Sequence, residues 1–149
     1  MRHLALITLV VPDYDEAIAY YTGRLGFTLR EDTPLGPPES PPQADGTPTG
    51  KRWVVVAPHP EAATGLLLAR AATEHQRSRI GDQTGGRVGF FLHTDDLEGD
   101  FARLTAAGVT FEQPPRTEPY GTVAVFTDRY GNRFDLVQPA GAPPPGPAA

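Results

Sequence analysis

The stretch LALITLVVPDYDEAIAYYTGRLGF, Leu4 to Phe27, contains a strand, a helix and a stop in direct succession. Its opening is an apolar run with β-branched residues, suited to a strand buried on both faces. Asp13 stands where a helix N-cap belongs, and Glu16 follows three residues later as its capping-box partner. Ala17, Ile18, Tyr21 and Leu25 recur at helical spacing, and Gly26 supplies a left-handed C-cap.

The same order returns in RVGFFLHTDDLEGDFARLTAAGVTF, Arg87 to Phe111. An apolar strand leads to Asp95 or Asp96 at the cap, Leu97, Phe101 and Leu104 form the stripe, and Gly108 closes the helix. Sliding the first segment by 83 residues places Asp13 on Asp96, Ile18 on Phe101 and Tyr21 on Leu104. Cap, stripe and stop shared in one order mark an internal repeat. After the first helix come FTLRED, RWVVVAP and GLLLARA; after the second come VTFEQP, TVAVFTD, the turn RYGN and RFDLVQP. Each half therefore reads β-α-β-β-β, module one at about residues 4–70 and module two at about 87–138. A linker at about 71–86 joins them, and its stretch ATEHQRSRIG suits a short helix.

Two segments fall outside this core. Residues 33–50, TPLGPPESPPQADGTPTG, read as a mobile Pro-rich loop, and 139–149, PAGAPPPGPAA, as a disordered tail. Together they hold 11 of the 17 prolines, so the remaining chain has an ordinary composition for an α+β domain. At 149 residues one domain is expected, spanning about 1–138. The net charge of −5 and the lack of a Lys/Arg cluster argue against nucleic acid and anionic membrane as partners. The absence of cysteine excludes disulfides, thiolate metal sites and cysteine nucleophiles. No apolar run approaches the roughly 18 residues of a membrane span. The N-terminus has a basic start and an apolar stretch, but no small-residue cleavage site follows, so it reads as the first strand of a cytoplasmic protein.

Paired βαβββ modules, with VPDYDEAIAYYTGRLGF in the first and DRYGNRFDLVQ closing the second, resemble the vicinal oxygen chelate superfamily. That superfamily includes glyoxalase I, bleomycin-resistance proteins, fosfomycin-resistance enzymes, methylmalonyl-CoA epimerase and extradiol dioxygenases. The resemblance implies two half-barrels around a cleft. In metal-dependent members, one divalent ion such as Fe, Mn, Ni, Co or Zn is held by the first and last strands of each module. Mapped here, the first-strand positions fall on Leu6 and Gly89, and the last-strand positions on Leu68, within one residue, and Asp135. Leu and Gly offer no ligand atom, so Asp135 alone retains a ligating side chain, and no metal or other cofactor is expected.

Asp135 is the leading candidate for a catalytic or ligand-contacting role, as a general base or as an acceptor for a hydroxyl or cationic group. Its bland alternative is a carboxylate paired with a nearby arginine, Arg133 being closest in sequence, or left in water. His93 shares a strand face with Phe91 and Gly89 by alternation and is the second catalytic candidate; otherwise it is hydrogen-bonded to Thr94 or Asp95. Arg70, on the face of Leu68, suits a clamp for a carboxylate or phosphate, or a surface ion pair. Trp53 and Tyr120, with Phe91 and Phe126, suggest an aromatic wall, and Gln83 a polar group at the cleft mouth. His3 reads as a surface or dimer-contact residue, and His59 and His75 as solvated. No phosphate-binding loop, dinucleotide fingerprint or nucleophile elbow is present.

Three functions compete on this reading. One is a metal-free member that binds or sequesters a partly apolar metabolite or antibiotic in an apolar cleft lined by Leu6, Trp53, Leu68, Arg70, Gly89, Phe91 and Tyr120. The second is a glyoxalase-like lyase, isomerase or dioxygenase-family enzyme using Asp135 and His93. The third retains a relocated divalent metal such as Fe, Mn, Ni or Zn. The resemblance also implies a homodimer.

Overall fold

A computed structural model describes residues 1–36, 41, 44 and 50–141. The chain divides into two compact units, Met1–Arg79 and a second that begins at Ile80.

In the first unit, β1 (Leu6–Val11), α1 (Tyr14–Gly23), β2 (Thr28–Pro34), β3 (Arg52–Ala57) and β4 (Gly65–Arg70) follow in sequence, with a short α2 (Glu74–Arg77) after them. The strands form a mixed sheet in the order β1-β4-β3-β2, in which β1 and β4 are parallel and the other pairs antiparallel. Asp13 caps α1, its Oδ2 accepting from the Glu16 N–H at 2.8 Å. The chain leaves the helix through Gly26, whose φ of +72° suits glycine.

In the second unit, β5 (Phe90–His93), α3 (Leu97–Ala106), β6 (Thr110–Phe111), β7 (Arg116–Glu118), β8 (Gly121–Thr127) and β9 (Arg133–Pro139) make a sheet of order β5-β9-β8-β6, with β7 also paired to β8. Asp96, rather than Asp95, is the cap: its Oδ1 accepts from the Gly99 N–H at 3.1 Å. Asp13 and Asp96, and the two sheet orders, match as the repeat requires. Among the described residues, only β7 lacks a counterpart in the first unit.

Each sheet has one face covered by its helix. In the first, Leu9, Val11, Val54, Val56, Leu66 and Leu68 lie on that face, at most 7% exposed, with Ala17 and Tyr21 of α1 fully buried. In the second, the covered face is aromatic: Phe134 stacks on Phe90 and on Phe126 with ring centroids 4.7 and 4.9 Å apart, and Phe101 of α3 meets Phe111. The buried carboxylate of Asp128 closes the DRYGN turn by accepting from the Tyr130 and Asn132 N–H groups and the Asn132 amide.

Several sequence expectations need correction. The first strand is not buried on both faces. It is an edge strand with Ile7 and Thr8 exposed. The Pro-rich segment does not leave the sheet at residue 33, because Thr33 and Pro34 pair with Trp53 and Arg52. The tail does not begin at 139, because Pro139 pairs with Gly121 and Ala140 N–H donates to Tyr120 O. Most of the loop, and the tail from 142 on, lie outside the described residues. The expected short linker helix is α2. From Ile80 on the linker belongs to the second unit, where Gly81 packs so closely against Tyr130 that a Cβ there would lie 1.8 Å from the Tyr130 carbonyl oxygen.

Candidate functional site

In the second unit, Asp135 projects from the sheet face opposite α3, because its neighbours Phe134 and Leu136 point into the helix-covered core. Parallel pairing sets Phe91 beside it, and antiparallel pairing sets Val125 on its other side. His93 and Val137, and Val123 across from Val137, continue the same face. Val123, Val125 and Val137 are at most 5% exposed, whereas Phe91 is 65% exposed. A half-buried carboxylate therefore lies between a valine floor and an exposed aromatic ring.

The charges around it are already engaged. Arg133, expected as a partner for Asp135, instead makes a fork with Glu112, at 2.8 Å from Nε and 3.1 Å from Nη2, and donates Nη1 to Gly86 O. Arg116 donates Nε to Glu118 at 2.8 Å, while its Nη1 is buried with no hydrogen-bond partner among the described residues. Glu118 first, and the Tyr120 phenol to a lesser degree, hold the Arg116 guanidinium above its ordinary range. Asp135 has no hydrogen bond or ion pair among the described residues. Burial pushes its carboxyl above the ordinary carboxylate range; Arg116 and Arg133 pull it down, Glu112 pushes it up, and burial prevails.

His93 is exposed on the face of Asp135, as alternation required, but the expected hydrogen bond to Thr94 or Asp95 is absent. The Thr94 hydroxyl donates to Asp100 instead. Tyr120 is 54% exposed in the turn between β7 and β8. Phe126 is not part of an aromatic wall with Phe91: it is fully buried on the helix-covered face, stacked on Phe134.

At Gly89, the first-strand position expected from the resemblance, a side chain has little room. A Cβ at Gly89 would lie 2.9 Å from Thr84 Cγ2, and the Thr84 hydroxyl donates to Arg87 O. Thr84 thus covers the position from the linker; the sequence reading had singled out its neighbour Gln83, which is exposed.

In the first unit, Leu6 lies on the sheet face away from α1. Its Cδ2 is 3.5 Å from the place a Cβ of Gly65 would occupy, and Val55 Cγ1 is 3.0 Å from it. Leu68 faces the other way, fully buried against α1, so the last-strand position on the face of Leu6 belongs to Leu67, within the one-residue margin. GLLLAR is apolar at both parities, and only the β1–β4 register distinguishes them. A cleft of about 350 Å³ is lined by Thr8, Tyr14, Trp53, Leu67, Leu68 and Arg70 among others. Arg70 lies over one side of the Tyr14 ring at 5.1 Å from its centroid, and Arg52 is also stacked on that ring at 5.2 Å. Arg52 is gripped by Asp32 at 2.7 Å and Asp15 at 2.9 Å; Asp32 first, then Asp15, hold it above the usual guanidinium range.

The family's metal does not fit this donor set. Among the described residues, no group of three or more His, Cys, Asp or Glu side chains could hold a metal ion. Leu6 and either Leu67 or Leu68 present hydrocarbon, and Gly89 is covered by Thr84. Among the described residues, no helix is long and apolar enough to cross a membrane.

A mixed sheet repeated in the same strand order, with capped helices at matching positions, defines the glyoxalase fold. The family model of the Glyoxalase/Bleomycin resistance protein/Dioxygenase superfamily matches residues 3–136, and the chain belongs to that family. It is 49% identical over 132 residues to a protein of Shewanella frigidimarina, covering 89% of this chain and 90% of that protein. Among solved structures it is similar to UcmS2, with TM-score 0.73, 32% identity and coverage of 92% of this chain and 98% of that one. It is also similar to TnmS3, an antibiotic binding protein from Streptomyces sp. CB03234, with TM-score 0.69, 30% identity and coverage of 94% and 98%.

Proposed function

We propose that this protein binds a small, partly apolar molecule, a metabolite or an antibiotic, and sequesters it without a resident metal. The observation that carries this reading is the far face of the second sheet, where one unpaired carboxylate sits among Val123, Val125, Val137 and an exposed Phe91. Phe91 offers exposed apolar area and Asp135 one directional polar group, which is what selective capture of a small molecule needs. The description of TnmS3 as antibiotic-binding supports the same reading. The test is native mass spectrometry and calorimetry against a panel of antibiotics and aromatic metabolites. Stoichiometric binding with the ligand recovered unchanged is expected; a panel member converted to product would replace sequestration with catalysis.

One observation favours a second reading, an enzyme of the lyase, isomerase or dioxygenase kind. Asp135, its carboxyl raised by burial, shares a face with the exposed His93, and the two suit proton transfer. In that case turnover is lost in Asp135→Asn or His93→Ala while binding persists. A cytoplasmic homodimer completes the proposal. Light scattering checks the dimer, and metal analysis of protein purified without added ions checks for Fe, Mn, Ni or Zn, where one tightly held equivalent would overturn the metal-free reading.

A further inference from the structure

We infer that the far face of the second sheet selects for positive charge: it takes an aromatic or apolar ligand that carries a protonated amine, with Asp135 as the amine's partner and Phe91 as the ring platform. This rests on the small-molecule reading above and names the class of molecule.

The inference comes from how the charges are distributed. Five charged side chains belong to this region, and four are matched: Arg133 with Glu112 and Arg116 with Glu118. The fifth, Asp135, has no ion pair within reach and accepts no hydrogen bond among the described residues. The face therefore presents one negative charge in excess, on a carboxylate already partly stripped of water. A desolvated acceptor without a donor is costly, and a ligand that supplies the donor recovers that cost. A cationic N–H does so best, because the hydrogen bond is charge-assisted. An anion meets repulsion from Asp135; Arg133 and Arg116 Nε are bound to Glu112 and Glu118, and the open Arg116 Nη1 is buried.

Phe91 sets the second half of the recognition. It is directly opposite Asp135 across β5 and β9, and at 65% exposure it is an aromatic ring left largely in water. A ring of the ligand stacks on it, or the ammonium itself lies against its face. Val123, Val125 and Val137 share this face but are at most 5% exposed, so Phe91 carries the apolar contact.

Three probes with one ring system and different charge separate the possibilities: 1-naphthylmethylamine, 1-naphthalenemethanol and 1-naphthoate. Their dissociation constants are measured by calorimetry, and their place on the protein by methyl resonances of Val123, Val125 and Val137. The amine is expected to bind about tenfold or more tightly than the alcohol, the size of one charge-assisted hydrogen bond, with the carboxylate weakest. Asp135→Asn, close in shape, reduces the amine to the level of the alcohol. Phe91→Ala weakens amine and alcohol together and leaves their order intact. As pH falls and Asp135 takes up a proton, the amine loses its advantage while the alcohol is unaffected. Arg116 and Glu118 of β7, Arg133 of β9, Glu112 beside β6 and His93 of β5 also face this region, so the pH series is repeated in His93→Ala to isolate Asp135.

Equal affinity for amine and carboxylate, or an order that survives Asp135→Asn, overturns the inference. So does the failure of all three probes to move the valine methyls. That last result leaves sequestration itself to the antibiotic panel, so the two readings fail separately.

Discussion

Arg52 in the first unit and Asp135 in the second are both partly buried charges on sheet strands, and they are treated in opposite ways. Arg52 is bound by two carboxylates and stacked on Tyr14, with only 11% of its side chain exposed. Asp135 has Arg116 and Arg133 in its field, yet both arginines are bound to other carboxylates. The first arrangement fastens α1 to its sheet. The second leaves a half-buried carboxylate without a protein partner, open to water or to a ligand. The two units share strand order and helix caps and differ in whether their charges are closed on themselves or left open to something else.

The units also differ in their cores, and the largest expected effects test that. Phe126→Ala removes a fully buried ring stacked on Phe134 and is expected to cost about 3–5 kcal/mol, against about 2–5 kcal/mol for Leu68→Ala in the aliphatic core. Urea denaturation measures both. A Phe126→Ala cost near that of a surface substitution would remove the stack as the second unit's core.

Arg52→Ala comes next, at about 1–3 kcal/mol. It strands Asp32, but Asp15 is more than half exposed and regains water, so the full cost of a buried pair does not apply. Arg52→Lys recovers only part, because an ammonium cannot bridge both carboxylates and stack on Tyr14 in the same geometry. Full recovery by lysine would show that charge alone matters here. Smaller and equal losses, about 1 kcal/mol each, are expected for Asp13→Ala and Asp96→Ala, read from thermal unfolding. A marked inequality would mean that the two caps, though matched in position, do different work.

The frame of the molecule was readable because caps, stripes and closing glycines are local signals, and the repeat showed them twice. What escaped was set by register and by distant partners. β7 is three polar residues without alternation, so nothing marked it as a strand. Leu67 and Leu68 are alike in sequence, and only pairing with β1 tells which faces α1. Arg133 was expected beside Asp135 because they lie two positions apart on one strand, but its partner Glu112 is 21 residues away, just after β6. Thr84 covers Gly89 through a turn whose course no composition specifies. Asp135 stands out in the sequence as a carboxylate in an apolar strand, but its lack of a partner depends on where Arg116 and Arg133 pair, which local sequence does not specify.

The smallest expected effect is the most direct test of that assignment. Because burial raises the Asp135 carboxyl above its ordinary range, the ionised form is disfavoured in the folded chain relative to the unfolded one. Between the ordinary carboxylate range and the raised folded value, the folded state holds more protons, so stability falls as pH rises through that window. Above it, the ionised group's penalty is constant. Asp135→Asn is therefore expected to raise Tm modestly at pH 7, and the gain should shrink toward pH 3, where the native residue is itself neutral. A binding residue kept at the expense of stability would behave this way. If the variant melts lower at pH 7, Asp135 is held by favourable contacts after all, and the contrast with Arg52 disappears.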